Sequence, residues 1–374
     1  KGLRRHGCMV ALASCVDSRP DYHTQNRGVE WFMDHGIPYH YVPFPDSQRP
    51  QHGRLDTLRA LQKLNESVRD FKPDVLHLHS FSLFPYAWVV RMLTGIPIVS
   101  TIHHDLDSDR KGVQALRLLN FLLPVAVTPE RMIAVNRDQE EQFRALLGVP
   151  PSHISRIPHG IDETHFRPPT DHERQTARTK FGITDDTPTI SMIGRLDWPK
   201  GHDILIRAVV RLREMKIPVV TLLAGTGAGE PDIRRLVEAE DLTDSVRFLG
   251  FTDTREVLWA SDVSVLPSRR EIFGLVTVES MLCGVVPVRT PGSGAHEQIR
   301  DGRSGYLFPF DDDEALADRL ARLLTDSAHR AEMGKAALRR ARNEFTADTM
   351  IDRTLTLYRD LTGSAGAPIG QPSP

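Results

Sequence analysis

Residues 268–280 read Ser-Arg-Arg-Glu-Ile-Phe-Gly-Leu-Val-Thr-Val-Glu-Ser, so that two glutamates, Glu271 and Glu279, stand with seven residues between them. The apolar residues 263–266, which are followed by Pro267, predict a strand before this stretch. Residues 276–283 contain few helix breakers and predict a helix that ends at a glycine. We therefore expect Glu271 in the turn that enters the helix and Glu279 on the helix itself.

The two carboxylates and the start of the predicted helix indicate a site for a sugar nucleotide. A carboxylate accepts hydrogen bonds from vicinal hydroxyls, which a sugar and a ribose both present. The backbone N–H groups at Phe273, Gly274 and Leu275 have no partner within the helix and suit an anion such as a phosphate. Taken alone, however, two glutamates around a helix start are commonly a solvated turn with a favourable charge for the helix dipole.

The segments that follow this stretch favour the site. Together with residues 280–288, 292–297 and 301–308, it resembles the E-x7-E region of the retaining GT-B glycosyltransferases of family GT4 (glycosyl transferases group 1), whose members include sucrose synthases and mannosyltransferases. The whole ordered series matches, not an isolated pair of glutamates. The resemblance implies an α/β fold with two Rossmann-like doubly wound domains that face a cleft. It also implies that Glu271 holds the hydroxyls of the sugar and that Glu279 holds those of the ribose.

The length of the chain agrees with two domains, because 374 residues exceed the size that one hydrophobic core usually serves. Predicted strands alternate with predicted helices, which indicates parallel sheets. From the resemblance we expect an acceptor-binding domain at 1–168, a nucleotide-sugar-binding domain at 169–345 and a helix at 346–361 that crosses back to the first domain. The Gly-, Pro-, Ser- and Ala-rich composition of residues 362–374 predicts a disordered tail. Because residues 1–6 look like the end of a helix, we also expect the family's first strand and Gly-rich loop to be missing.

The second predicted domain carries further donor-binding candidates. Its first strand runs into Gly194-Arg195-Leu196-Asp197-Trp198-Pro199-Lys200-Gly201, where glycine lets the backbone approach a phosphate and two cations can neutralise a diphosphate without a metal. Either cation alone would be interpreted as a solvated loop charge, but the resembled family has a cationic pair at this spacing. The resemblance therefore implies binding and catalytic roles for Arg195 and Lys200. Nucleotide contacts are also expected at Gly225, although glycine turns end many strands, and at Phe251 through backbone groups.

Histidines lie at the ends of two strands predicted for the first domain. Thr101-Ile102-His103 matches a Thr-x-His strand end where the resembled family has a functional histidine. This implies that His103 contacts the donor sugar or its departing phosphate, with His104 as the alternative. His77 and His79 end the preceding strand, where they either contact the acceptor or are satisfied by backbone partners. His159 stands where the family normally has Asn, a difference that affects no catalytic residue.

A basic amphipathic helix predicted at 110–123 has two interpretations. It can lie on a membrane surface, or it can pack its apolar stripe within the domain, as surface helices do; we prefer the second. No apolar run approaches the roughly 20 residues that a membrane span requires, and three scattered cysteines fit no disulfide framework. We therefore expect a cytoplasmic protein, with peripheral membrane contact as the open alternative.

The resemblance implies transfer of a glycosyl group from a nucleoside diphosphate sugar, a UDP-sugar in preference to a GDP-sugar, to an acceptor hydroxyl with retention of anomeric configuration. The expected acceptor is a small molecule, a glycan or a lipid. Nucleic acid is not expected as a partner, because the net charge of −2 conceals no long block of one sign. No cofactor and no metal are expected, since Asp105, Asp107 and Asp109 are more simply a polar loop than a metal site.

Two other functions stay open at this point. An inverting transferase of the same architecture would need a general base in the first domain, such as His103 or Asp105. A catalytically silent relative would bind the nucleotide sugar and act as a partner or regulatory subunit. Such a protein would have no need of all five candidate residues, which are His103, Arg195, Lys200, Glu271 and Glu279.

Overall fold

The computed structural model describes residues 2–14, 27–44, 54–80, 83–103, 129–183 and 186–363. The chain divides into two compact units. The first contains Lys1–Ala134, Glu140–Ile157 and Ile351–Pro374, and the second contains Val135–Gln139 and Pro158–Met350. Both consist of parallel strands with helices between them, which is the predicted α/β class. The predicted domain boundaries at 168 and 345 stay predictions, because this division does not decide them.

The first unit contains two sheets within its described residues. Strands β1 and β2 form one pair, and β3, β4, β5 and β6 form a four-stranded sheet in chain order, with every pair parallel. The strands are β1 (Leu12–Ser14), β2 (Tyr39–Tyr41), β3 (Leu76–Leu78), β4 (Ile98–Thr101), β5 (Arg131–Ala134) and β6 (Ile154–Arg156). The helices are Gly2–Arg5, Arg27–Asp34, Arg54–Phe71, Phe84–Thr94 and parts of two more, which are Arg137–Leu147 from Glu140 onward and Ala347–Thr362 from Ile351 onward.

The core of the four-stranded sheet explains why its strands lie next to each other. All four residues of β4 are buried, as expected for a parallel strand that is covered on both faces. Its Ile98 packs in one apolar cluster with Met132 of β5 and with Phe84 and Phe143 from two helices. This burial fixes the ends of β3 and β4, where the predicted histidines lie.

The second unit is built on one six-stranded parallel sheet in the order β12-β11-β10-β7-β8-β9. Numbered from the start of the unit, this is the strand order 6-5-4-1-2-3 of a dinucleotide-binding fold. The strands are β7 (Thr189–Ile193), β8 (Val220–Ala224), β9 (Val246–Gly250), β10 (Val263–Leu266), β11 (Val286–Arg289) and β12 (Tyr306–Leu307). The helices are Asp171–Lys180, His202–Glu214, Glu230–Ala239, Thr254–Ala260, Leu275–Leu282, Ala295–Gln298, Asp313–Thr325 and Ser327–Glu344.

Apolar side chains cover both faces of this sheet. Every residue of β7, β8, β10 and β11 is buried. On one face Met192 and Val265 pack with Leu205 and Leu316 from two helices, and on the other Leu222 packs with residues of two more helices, such as Val257. Because the strands are held on both faces, the loops at their carboxyl ends have fixed starting points, and these loops carry the predicted donor-binding residues.

Candidate active site

In the second unit, the order of the strands reverses between the neighbouring strands β7 and β10, and we call this place the β7–β10 switch point. From β7 the chain proceeds to β8 and β9 on one side, and from β10 it proceeds to β11 and β12 on the other. In open parallel sheets, ligands bind outside the carboxyl ends of the strands at such a point. Gly194, Arg195 and Lys200 follow β7, and Glu271 follows β10. The topology therefore brings two of the predicted binding segments to one place.

A direct ion pair joins these two segments. The ammonium of Lys200 donates to Oε2 of Glu271 over 2.8 Å, and the two side chains are 22% and 16% exposed. Partial exclusion from water makes such a pair stronger than an exposed one. The predicted sugar-binding carboxylate and the predicted phosphate-binding cation are thus adjacent, although 71 residues separate them in the chain.

Arg269 connects the Lys200 loop to the segment after β10, and the sequence analysis assigned it no role. Its backbone N–H donates to the carbonyl of Pro199 at 2.8 Å, and its guanidinium donates to the carbonyl of Trp198 at 3.0 Å. The guanidinium also donates to both carboxylate oxygens of Asp203, at 2.9 and 2.8 Å. These contacts hold the Trp198–Lys200 turn in place. Only its position directly before Arg270 and Glu271 could have drawn attention to Arg269.

Arg195 lies on the same loop but differs from Lys200 in its surroundings. Its side chain is 77% exposed, and its guanidinium pairs with Asp197 at 3.2 Å. A pair as exposed as this contributes little to stability. Arg195 therefore extends into solvent from the switch point, and its predicted contact with a diphosphate stays a prediction.

Gly194 and Gly225 bring the ends of β7 and β8 into close approach. The N–H of Gly194 donates to the carbonyl of Ala224 at 2.9 Å. A Cβ on Gly225, whose φ is +133°, would lie 2.0 Å from the carbonyl oxygen of Gly194. Only glycine fits at position 225, so Gly225 has a packing reason, whereas a Cβ on Gly194 would meet nothing within 4 Å. Their predicted contact with the nucleotide is an additional role that stays a prediction.

The predicted helix start has the expected form. The helix Leu275–Leu282 follows Gly274, whose φ is +75°, and no side chain caps its first N–H groups. Phe273 is 3% exposed, and its ring packs edge-on against the rings of His159 and Phe345. Any contact of Phe273 with a ligand must therefore come from its backbone. The Leu275 side chain, in contrast, is 44% exposed and is accessible from solvent.

Glu279 lies on this helix in surroundings unlike those of Glu271. Its side chain is partly buried, and none of the described residues donates a hydrogen bond to its carboxylate. Burial raises the pKa of Glu279 to about 7. A desolvated carboxylate without a donor is costly for the folded protein, and hydroxyl donors of a ligand would remove that cost. This is the property expected of a group that holds ribose hydroxyls.

Phe251 follows β9 and is the most exposed of the large apolar side chains that the structure describes, at 90%. The residue before it, Gly250, accepts a hydrogen bond from the N–H of Gly225 at 2.8 Å. This bond places the end of β9 next to the glycine turn after β8. The predicted contact of the Phe251 backbone with a base remains untested.

In the first unit, the structure brings three predicted histidines together. Nδ1 of His79 lies 3.0 Å from Nε2 of His103, and the two rings are stacked with their centroids 5.3 Å apart. The ring of His77 stacks on that of His79, with 4.4 Å between centroids. One ring of the bonded pair must donate and the other accept, so the tautomers of His79 and His103 are coupled.

The inner histidine of this group is satisfied within the protein. Nε2 of His77 lies 2.8 Å from the hydroxyl of Thr101, and Nδ1 bonds the hydroxyl of Tyr358. Burial, with the neighbouring rings, lowers the pKa of His77 to about 3, so it is neutral. Of the two interpretations of His77, the contacts favour a strand-end residue satisfied inside the fold, although its partners are side-chain hydroxyls and not the backbone groups that were expected. Tyr358 is a partner that sequence patterns could not have identified, because it lies 281 residues away.

Several predicted residues lie outside the described part of the chain. They are His104, Asp105, Asp107, Asp109, the helix predicted at 110–123 and residues 364–374 of the predicted tail. Among the helices that are described, none has the length and apolar character needed to cross a membrane.

Comparison with known proteins identifies the family. The model of the glycosyl transferase 4-like domain matches residues 1–160, and the model of the glycosyl transferases group 1 matches residues 173–340. A D-inositol 3-phosphate glycosyltransferase of Thermobifida fusca is 30% identical over 315 residues, which are 77% of this chain and 69% of that protein. The chain belongs to the GT4 family of group 1 glycosyltransferases.

The fold of this GT4 protein agrees with solved structures. HepE of Anabaena, crystallised with UDP and glucose, superimposes with a TM-score of 0.76 at 21% identity, covering 92% of this chain and 90% of that one. Sucrose-phosphate synthase of Thermosynechococcus elongatus superimposes with a TM-score of 0.71 at 21% identity, covering 97% and 98%. The predicted fold class, with two Rossmann-like domains of the GT-B type, is confirmed.

Family membership also decides the reaction class. This GT4 protein is a retaining glycosyltransferase that uses a nucleotide sugar, as the resemblance implied. The inverting and the catalytically silent alternatives are therefore set aside. The roles of individual residues are not decided by membership, and they stay predictions.

We predict that activity of this GT4 enzyme survives a metal chelator. Within the described residues, no three His, Cys, Asp or Glu side chains lie close enough together to hold a metal ion, and Lys200 can stabilise a diphosphate directly. Turnover with and without EDTA is the measurement. Loss of all turnover in EDTA, with recovery after addition of Mn²⁺ or Mg²⁺, would contradict this expectation.

Proposed function

We propose that the second unit binds the donor nucleotide sugar at the β7–β10 switch point. Lys200 and Arg195 contact the diphosphate, Glu271 accepts hydrogen bonds from the sugar, and Glu279 accepts them from the ribose. The observation that carries the proposal is the 2.8 Å ion pair between Lys200 and Glu271. It places a cation and a carboxylate side by side, which matches the two chemically different halves of a sugar diphosphate.

The proposed chemistry is stabilisation of the leaving group. As the bond between the anomeric carbon and the phosphate oxygen breaks, negative charge grows on the diphosphate. A cation fixed beside it in a partly dehydrated site lowers the energy of that charge without reorganisation. The uncapped N–H groups that precede and begin the Leu275–Leu282 helix favour the same anion. Glu271, whose charge is engaged by Lys200, serves as a binding group in this proposal and not as a nucleophile.

We propose a UDP-sugar as the donor and a phosphorylated cyclitol as the first acceptor to test. The UDP preference is supported by HepE, a protein of the same fold that was crystallised with UDP-glucose. The acceptor class is suggested by the relatives named D-inositol 3-phosphate glycosyltransferase, such as the one from Thermobifida fusca. The chain spans about two thirds of the length of these relatives.

A donor panel tests the proposal. A nucleoside diphosphate at about 100 times its dissociation constant should add roughly 2.7 kcal/mol of stability, which thermal unfolding detects. We expect UDP and UDP-sugars to raise the Tm more than GDP, GDP-sugars or uridine, and UDP-sugars alone to support turnover with an inositol phosphate. A larger shift of the Tm with guanine nucleotides would show that the base of the donor is guanine and not uracil. If no nucleoside diphosphate shifts the Tm, the proposed donor site is wrong.

A further inference from the structure

The strongest unassigned feature beside the proposed donor site is a buried arginine at the end of β11. Arg289 is 0% exposed and is the largest of the fully buried side chains in the described residues. Its Nη1 donates to the carbonyl of Phe273 at 2.9 Å and to Oε1 of Gln298 at 2.5 Å. Its Nε and Nη2 donate to the carbonyls of Thr290 and Ser293, at 3.3 and 3.4 Å.

All four of these acceptors are uncharged. Within the described residues, no carboxylate lies within ion-pair distance of Arg289, and the carboxylate whose charge acts on it is that of Glu271. Burial lowers the pKa of Arg289 only to about 10, so the side chain is charged at neutral pH. Burying such a charge is costly, and well-packed apolar residues often serve stability at least as well. The retained charge therefore points to a task other than packing.

The guanidinium lies against the turn that carries Glu271. Gly274 has a φ of +75°, and a Cβ built there would be 3.0 Å from Nη1 of Arg289 and 3.3 Å from Cγ of Glu271. A Cβ on Gly292 would similarly lie 3.6 Å from Nη2 of Arg289 and 3.7 Å from Cβ of Glu271. The turn is thus folded closely onto the guanidinium, and glycine is required at 274 for that approach.

Phe273 is the link between Arg289 and the proposed site. Its carbonyl accepts from Arg289 and also from Nε2 of Gln298, the latter at 2.6 Å. These bonds fix the peptide between Phe273 and Gly274, directly before the helix start. They thereby constrain the backbone between Glu271 and the first N–H groups of the helix.

We propose that Arg289 is a positioning residue of the donor site, which holds the Glu271–Gly274 turn so that the Glu271 carboxylate meets the sugar. The inference rests on the proposed function of Glu271. Arg289 is fully buried beneath the turn and touches no substrate; its effect on the reaction passes through Glu271. A Lys at the same position would keep the charge but lose the fork of donors that reaches several carbonyls at once.

A double-mutant cycle tests this role. Glu271→Ala, Arg289→Met and the combined variant are compared with the wild type by donor kcat/KM, well below the Tm of each. We expect each single change to lower kcat/KM by about ten- to a hundredfold, because each removes a charge-assisted or buried hydrogen bond. In the Glu271→Ala background, Arg289→Met should then cost less than about threefold more, because a residue that acts through Glu271 has nothing left to position. Arg289→Lys should recover part of the loss.

Arg178→Met is the matched control. Arg178 is a second buried arginine of the same unit, 6% exposed, and it donates to the hydroxyl of Thr189 and the carbonyls of Thr187 and Ala260. These partners lie at the amino ends of β7 and β10, away from the proposed site. We expect Arg178→Met to lower the Tm without changing kcat/KM.

Additive losses in the combined variant would overturn the proposal, as would wild-type kcat/KM in Arg289→Met. If Arg289→Met does not fold, Arg289→Lys in both backgrounds gives the same cycle with a smaller change. Failure of the proposed function is distinguishable, since it appears in Glu271→Ala alone: wild-type kcat/KM in that variant would remove the role of Glu271, and with it that of Arg289.

Discussion

Lys200→Met should lower kcat by on the order of a hundred- to a thousandfold, the effect of removing one preorganised group that stabilises developing negative charge. In the structure the Lys200 ammonium is held by Glu271 at 2.8 Å, and the loop that carries it is fastened by Arg269. A cation fixed in this way needs little reorganisation as the diphosphate leaves. Removing it breaks a partly buried pair, so we expect a stability cost of about 1 to 2 kcal/mol.

Two comparisons separate this role from a general effect of charge. Arg195→Ala should cost less turnover than Lys200→Met, because the Arg195 side chain is 77% exposed and solvent screens its charge. Lys335→Ala removes a lysine that is 64% exposed and paired with Glu332 in the Ser327–Glu344 helix, and it should leave kcat unchanged. Steady-state kinetics at saturating donor is the measurement. Wild-type kcat in Lys200→Met would refute the assignment of the diphosphate to this loop.

Glu279→Gln should make the free protein more stable while it weakens nucleotide binding. The folded pKa of Glu279 is raised to about 7, whereas a glutamate in the unfolded chain titrates near 4.3. Between these values the folded protein binds the proton more tightly than the unfolded chain. This contribution to stability is fully present below about pH 4.3 and is lost as the pH rises through about 7. A glutamine does not titrate, so the variant should gain up to about 3 kcal/mol over the wild type at pH 8 and almost nothing near pH 4.

The measurements for Glu279→Gln are unfolding free energies from pH 4 to 8 and calorimetric titration with UDP. Because its carboxylate is proposed to accept two ribose hydroxyls, we expect UDP affinity to fall about ten- to a hundredfold. Glu271→Gln is the matched control. The Glu271 carboxylate is paired with Lys200, so this variant should lose stability, and its UDP affinity should stay near that of the wild type because UDP lacks the transferred sugar that Glu271 is proposed to hold. The reverse pattern of affinities would exchange the two roles. Unchanged UDP affinity in both variants would indicate that the helix start, with its two glutamates, is only a solvated turn.

Around the stretch 268–280, local sequence alone predicts the secondary structure correctly. Strand β10 was predicted at its observed residues, and the predicted helix begins and ends within one residue of the observed Leu275–Leu282. These elements follow from short-range properties: an apolar run ended by proline, and a helical segment bounded by glycines. The position of Glu271 in the turn and of Glu279 on the helix follows directly from them.

The environments of the same two residues required the folded chain. Glu271 meets Lys200, and Arg289 lies beneath its turn, while Glu279 has no donor among the described residues. Nothing in the spacing of an E-x7-E motif distinguishes a paired carboxylate from a desolvated one. The difference arises because β7, β10 and β11 lie side by side in the sheet, and strand order is a long-range property of packing.

For the histidines of the first unit too, the sequence predicted the local element, whereas their environments required the folded chain. The alternation around His77 and His79 predicted a strand end, and strand β3 ends there. That His77 is satisfied inside the fold depends on Thr101 and Tyr358, which contact it from a neighbouring strand and from the Ala347–Thr362 helix.

The sequence by itself therefore indicated the family and the α/β fold class, because residue types at fixed local spacing carry the resemblance to GT4. That resemblance in turn implied the retaining transfer from a nucleotide sugar and the candidate residues. The tertiary structure alone decided which partners the charged side chains meet: Lys200 meets Glu271, Arg269 meets carbonyls of the Lys200 loop, and Arg289 meets the carbonyl of Phe273 in the turn that carries Glu271. Those contacts join different segments of the chain: the strand order brings the segments together, and partial burial sets the strength of the electrostatic interactions between them.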